Sequence, residues 1–131
     1  MTRPDWDHYI MGFALQARLR ANCKGSKYGA VLTRNDRVIS TGYNGTAKGR
    51  QNCEDGGCLR CAQRDTLDHG AALDKCVCCH SEQNALLVAA RFGIATDGSI
   101  LYVTGTPCFS CFKELLQAGV RGVYYLHEWV P

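Results

Sequence analysis

No run of apolar residues in this chain approaches the ~18 that a bilayer-spanning helix needs, which argues against a membrane protein of that type. No apolar signal segment opens it either, so export is not expected and a reducing, cytoplasmic setting is. Charge of one sign is scarce. The net +3 is spread along the chain, favours anionic small molecules only weakly, and is not the basic footprint of a nucleic-acid binder. Internal repeats, low-complexity tracts and linkers are also lacking. The 131 residues, 46% of them hydrophobic, suit one domain over 1–131, since a core of this size can bury roughly two thirds of the unfolded surface.

Cysteine, by contrast, is plentiful. Nine is a high and odd number for this length, and in a reducing compartment clustered thiols are more often metal ligands or reduced core residues than disulfides. Six of the nine lie between Thr46 and Cys79, a stretch with little apolar periodicity that reads as an inserted loop needing a staple.

Elsewhere the periodicity is clear. Trp6, Tyr9, Ile10, Phe13, Ala14 and Ala17 recur at helical spacing from Asp5 to about Arg20, with Pro4 and Asp5 as first-turn residues. Tyr28 to Thr33 and Val38 to Thr41 are β-prone runs around the polar turn Arg34 to Arg37, a hairpin that Gly42, Tyr43, Asn44 and Gly45 then break. A helix is predicted from about Ser81 to Phe92, a strand from Ile100 to Thr104, a helix from about Pro107 to Ala118, and a strand from Val123 to Leu126. The order α-β-β-α-β-α-β implies an α/β fold, a mixed sheet flanked by helices.

Two short motifs fall at the last two helix starts. His80, Ser81 and Glu82 form an H-x-E, and Pro107, Cys108 and Cys111 form a P-C-x-x-C. One imidazole and two thiolates give zinc three protein ligands and leave the fourth tetrahedral position to water, as in a catalytic site. A first helical turn brings both sulfurs to one side, where unpaired N–H groups and the helix dipole favour thiolate. Pro107 sits where its missing N–H has no intrahelical partner to lose. Glu82, two residues beyond His80, points around the helix away from the imidazole and is placed to shuttle protons without ligating the metal. A lone His or a lone C-x-x-C is more often structural; His80, Glu82, Pro107, Cys108 and Cys111 in this order outweigh that reading.

H-x-E with P-C-x-x-C resembles the signature of the zinc deaminases. The chain is further similar, from Arg3-Pro4-x-Trp6 to Leu126, to the deoxycytidylate (dCMP) deaminase family of the cytidine deaminase superfamily. The matching segments are Arg20 to Cys23, Tyr28 to Val31, Thr41 to Thr46, His80 to Ala85 and Leu101 to Thr104. Gly57 to Cys61 leading to Cys76 to Cys78 looks like the members with a Cys-rich insert, placed here at about 46–79. The resemblance implies a three-layer α-β-α sandwich and hydrolytic deamination of dCMP to dUMP with release of ammonia, by a zinc-activated hydroxide with Glu82 as shuttle. It also implies sugar contact by Asn44, phosphate approach at Gly45, and framing of the base by Phe109. Lys27 stands, with Gly25 and Ser26, where many members place a phosphate-binding arginine, and is expected to substitute as a point charge. Other departures are Ser81 for the usual Ala, Ala47 for a loop Pro, and the ending at Pro131, where relatives continue with a segment that closes over the phosphate. Homo-oligomers and regulation by dCTP or dTTP are further family expectations.

Cys58-x-x-Cys61 with Cys76-x-Cys78 also predicts a second, closed structural zinc, with Cys23, Cys53 and His69 as alternates. Reduced thiols packed as small hydrophobes are the bland counterpart, and Cys79 has no assigned role. Competing functions are a deaminase acting on dCTP or on single-stranded nucleic acid or tRNA, and a non-enzymatic zinc module. The modest charge argues against a nucleic-acid substrate, and Glu82, which a purely structural site does not need, argues against the module.

Overall fold

The computed structural model describes residues 2–63 and 76–126. Helix α1 covers Trp6–Arg18, capped by Asp5, whose Oδ1 accepts the His8 backbone N–H at 2.9 Å. It leads into the hairpin β1 (Gly29–Arg34) and β2 (Arg37–Tyr43). Asn35 and Asp36 link the strands with φ of 53° and 60°, the pair of left-handed residues that a two-residue turn needs to match strand twist. β2 runs on through Gly42 and Tyr43, where the sequence reads as a break.

The insert then supplies a single 3-10 turn at Cys53–Asp55 and a short helix, α2 (Leu59–Ala62). Beyond it come α3 (Ser81–Arg91), β3 (Ile100–Val103), α4 (Phe109–Gln117) and β4 (Gly122–Tyr125). Both α3 and α4 close in Schellman turns, with Ile94 N–H reaching Ala89 O at 2.8 Å and Val120 N–H reaching Leu115 O at 3.0 Å. These turns fix where the helices end, and His80 and Cys108 hold the N-cap positions at their starts.

The sheet order is β2-β1-β3-β4, antiparallel across the first two pairings and parallel between β3 and β4. One face packs Val31 and Tyr102 against Ile10, Met11 and Ala14 of α1. The other packs Ala30, Leu32, Leu101 and Val103 against Ala85 of α3, Leu115 of α4 and Val120. Alternate residues of β1 and β3 thus feed opposite layers, and β1 is buried through its first five residues. The result is the expected α/β, three-layer α-β-α arrangement with a mixed sheet.

Candidate active site and metal centre

Two helix starts meet on the α3/α4 side of the sheet. Cys108 caps α4 in extended geometry, and its Sγ accepts the Cys111 N–H at 3.4 Å, so the sulfur lies at the electropositive end of the helix. His80 occupies the same place on α3, where Gln83 Oε1 accepts its backbone N–H at 2.9 Å. The pair of starts is tied by a hydrogen bond from Gln83 Nε2 to Glu114 Oε1 at 3.3 Å.

The consequence is a compact donor set. His80 Nδ1 lies 3.2 Å from Cys111 Sγ and 3.5 Å from Cys108 Sγ, and all three ligand atoms fall within 4.8 Å of one another. For a tetrahedral zinc with usual bond lengths the N···S edge is ~3.6 Å, so the residues present fit that ion. Cys108 is exposed and Cys111 buried, which leaves the set open on one side. Burial pushes the Cys111 thiol well above the ordinary range, with the neighbouring Glu82 carboxylate adding to the effect. A bound cation reverses that balance, since coordination deprotonates a thiol outright.

Glu82 is the one acidic or basic side chain buried among the described residues, at 5% exposure. Its carboxylate neighbours Cys111 and accepts a short hydrogen bond from Ser81 Oγ. An ionised carboxylate in such a place is costly unless it has polar or cationic company. The first turn of α3 can sit this deep because of Gly42: a Cβ there would lie 2.3 Å from Ser81 O and 2.5 Å from Ala85 N. Ser40 Oγ to Ala85 O at 2.7 Å and Asn84 Nδ2 to Tyr43 O at 2.6 Å pin the same turn to β2. Neither Gly42 nor Ser81 stands out by residue type, and no spacing rule points to them.

The other expected substrate residues divide. Phe109, first residue of α4, is 77% exposed beside Cys108, with Lys113 Nζ 5.2 Å from its ring centroid. Asn44 is buried, and its amide is engaged at both ends, Oδ1 accepting Tyr28 N–H at 2.8 Å and Nδ2 donating to Ser26 O at 2.7 Å. Its φ is not in the left-handed region, so it is no ordinary turn asparagine. Gly45 pairs with Cys79 through Gly45 N–H to Cys79 O at 3.1 Å and Cys79 N–H to Gly45 O at 2.7 Å. That bridge gives Cys79 its place, anchoring the chain just before His80. Lys27 departs from expectation: Nζ donates to Ala21 O at 3.0 Å, to Cys23 O at 3.1 Å and to Glu54 Oε1, which uses all three donors of an ammonium group. It clamps the insert and has no donor left over for a phosphate.

Six sulfurs cluster separately. Cys58, Cys61, Cys76 and Cys78 form one group of four, and Cys23, Cys53, Cys61 and Cys78 another, each with all ligand atoms within 4.8 Å. The first group is the one that the spacing predicts, and the second brings in Cys23 and Cys53, the alternates; the third alternate, His69, lies outside the described residues. Burial pushes the Cys23, Cys76 and Cys78 thiols up, and that of Cys53 up to about 11. Cys58 goes the other way. Burial opposes it, but N–H groups of Cys61 and Val77 and the thiols of Cys61 and Cys76 hold it down to about 7.

Comparison with known proteins follows the same lines. Residues 4–127 match the family model described as the cytidine and deoxycytidylate deaminase zinc-binding region. The chain is 45% identical over 123 residues to a deoxycytidylate deaminase of Schizosaccharomyces pombe, covering 94% of this chain and 37% of the relative. It is 38% identical to a deoxycytidylate deaminase of Mycobacterium phage D29, covering 98% and 99%. It spans well under half the length of the two yeast relatives, 37% and 40%. A solved structure of a dCMP deaminase from the cyanophage S-TIM5, in complex with dCMP and dUMP, superposes with a TM-score of 0.75 at 32% identity, over 98% of this chain and 86% of that one. With the paired helix starts, the sandwich and the near full-length match in agreement, the chain belongs to the cytidine and deoxycytidylate deaminase family.

Proposed function

We propose that this chain is a zinc-dependent deaminase domain that hydrolyses dCMP to dUMP and ammonia. The observation that carries the reading is the buried Glu82 carboxylate against an open His80, Cys108, Cys111 donor set. The relatives named as deoxycytidylate deaminases, and the related structure holding dCMP and dUMP, support this substrate over other cytosine compounds.

In this account His80, Cys108 and Cys111 hold the ion. When bound, zinc supplies a Lewis acid that makes a water acidic enough to be deprotonated near neutral pH. Glu82 accepts that proton and passes it to the ring nitrogen, then takes a second proton from the added hydroxyl and passes it to the departing amine, so the carboxylate gains and loses two protons and ends the cycle in the state in which it began. Ser81 Oγ holds one carboxylate oxygen and restricts its rotation. Phe109 offers an apolar edge for the base. Asn44 and Gly45 set the loop beside α3, and a free lone pair on Asn44 Oδ1 and a second N–H on Nδ2 remain for a sugar hydroxyl.

The Cys-rich insert is read as holding structural zinc, supported by the close thiol groups. Homo-oligomerisation belongs to the same proposal, supported by exposed Trp6, Tyr9 and Phe13 in edge-to-face contact along α1. So does a cytoplasmic setting; no helix among the described residues is long and apolar enough to cross a membrane. An ultraviolet assay comparing dCMP, dCTP, deoxycytidine and cytidine tests the substrate. Turnover of dCMP with kcat/KM at least tenfold above the others is expected, and turnover of unphosphorylated cytidine alone overturns the nucleotide reading.

A further inference from the structure

The two groups of four cysteines are not alternatives. They share Cys61 and Cys78, and together they use six sulfurs. Cys23, Cys53, Cys58 and Cys61 are each at most 8% exposed, and Cys76 and Cys78 pack against them. Two tetrahedra joined along one edge have this composition: two corners common to both, and two further corners on each. From the geometry we infer that the insert holds a pair of zinc ions, one bound by Cys23 and Cys53, the other by Cys58 and Cys76, with the Cys61 and Cys78 thiolates bridging them. This rests on the reading that the insert binds zinc, and it sets the number of ions and the ligands of each.

The distances suit it. A tetrahedral zinc thiolate with Zn–S near ~2.3 Å has an S···S edge of ~3.8 Å. Cys58 Sγ to Cys76 Sγ is 3.8 Å and Cys23 Sγ to Cys61 Sγ is 4.0 Å, one edge from each tetrahedron. All nine cysteines are free thiols, so none of the six is withdrawn from coordination. A single ion on either group would leave two sulfurs beside it unused, Cys58 and Cys76 in one case and Cys23 and Cys53 in the other.

Charge is also provided for. Six thiolates and two divalent ions sum to −2, and such a surplus needs donors around the sulfurs. Lys24 N–H lies 3.2 Å from Cys53 Sγ, the N–H groups of Cys61 and Val77 reach Cys58, and that of Gly25 reaches Cys23. Cys23 lies 30 residues before Cys53, and no standard ligand spacing joins them. The bridging Cys78 stands two residues before His80, so the pair of ions would tie the insert and the segment after α1 to the start of the catalytic helix.

The test is zinc content of the full chain purified with its metal, by elemental analysis and native mass spectrometry. Three zinc ions per chain are expected, one at His80, Cys108 and Cys111 and two in the insert. Two ions per chain overturn the paired site while leaving a single structural zinc standing, and one ion overturns both. Cys58→Ser should lower the count from three to two, and Cys61→Ser from three to one; an unchanged count in either contradicts the assignment. Since these variants can fail to fold, the unaltered chain loaded with cadmium-113 provides a second readout. Two tetrathiolate resonances split by coupling through shared sulfurs are expected, and unsplit resonances, or only one, refute bridging. Deamination is measured separately, so a chain lacking the pair but converting dCMP would refute this inference alone.

Discussion

Replacing Gly42 by alanine adds one methyl group at the place where α3 rests on β2. That carbon would stand 2.3 Å from Ser81 O and 2.5 Å from Ala85 N, against an ordinary contact of roughly 3.5 Å. Both neighbours are backbone atoms, so no rotamer change relieves the overlap, and the first turn of α3 must retreat from the sheet by about 1 Å. Ser40 and Asn84, which bond across this contact, resist the movement. Overpacking of this kind destabilises by about 1–3 kcal/mol. For a chain of 131 residues this corresponds to a fall in Tm of roughly 4–10 °C. Glu82 and His80 ride on the displaced turn, and a misplacement of ~1 Å can lower turnover ~100-fold. Calorimetry and steady-state deamination of dCMP measure the two effects, and zinc analysis separates displacement of Glu82 from loss of metal. A Gly42→Ala variant with unchanged Tm and kcat would refute the claim that this contact sets the depth of the carboxylate.

Lys27→Met should lower Tm, because it removes a clamp holding Ala21, Cys23 and Glu54 together, yet leave KM for dCMP within about twofold; a tenfold rise in KM would restore Lys27 as a phosphate contact. Asn44→Ala deletes two hydrogen bonds and strands the Tyr28 N–H and Ser26 O, so a loss of about 2–4 kcal/mol is expected in denaturant unfolding, and a loss under 1 kcal/mol would contradict it. Ser81→Ala removes one donor to the carboxylate without touching the metal ligands and should reduce kcat by less than about tenfold, with zinc content unchanged; a thousandfold loss would make Ser81 a partner in proton transfer.

Much of this architecture could be read from residue order. The periodicity of α1, α3 and α4 and the polar turn at Asn35 and Asp36 place the elements to within one or two residues. The H-x-E and P-C-x-x-C motifs point to His80, Glu82, Cys108 and Cys111 through their resemblance to the zinc-deaminase signature, and the fold brings the His80, Cys108 and Cys111 ligand atoms within 4.8 Å of one another. What escaped has a different cause. Gly42 is informative only through what would collide with its missing side chain, a relation between β2 and α3 that no local pattern carries. Lys27 reads as available for phosphate because sequence shows a charge but not the Ala21 and Cys23 carbonyls and the Glu54 carboxylate that occupy it. The sharing of Cys61 and Cys78 between two thiol groups is likewise a property of packing, since a list of spacings assigns each cysteine to one partner set.

The most direct test of the active-site account is Glu82→Gln, which keeps the side chain's shape and removes its ability to take a proton. The variant should retain its zinc and its melting temperature while kcat for dCMP falls by about 100- to 10,000-fold. Turnover near that of the unaltered chain, with zinc still bound, would contradict the assignment of the proton shuttle and with it the mechanism proposed for this site.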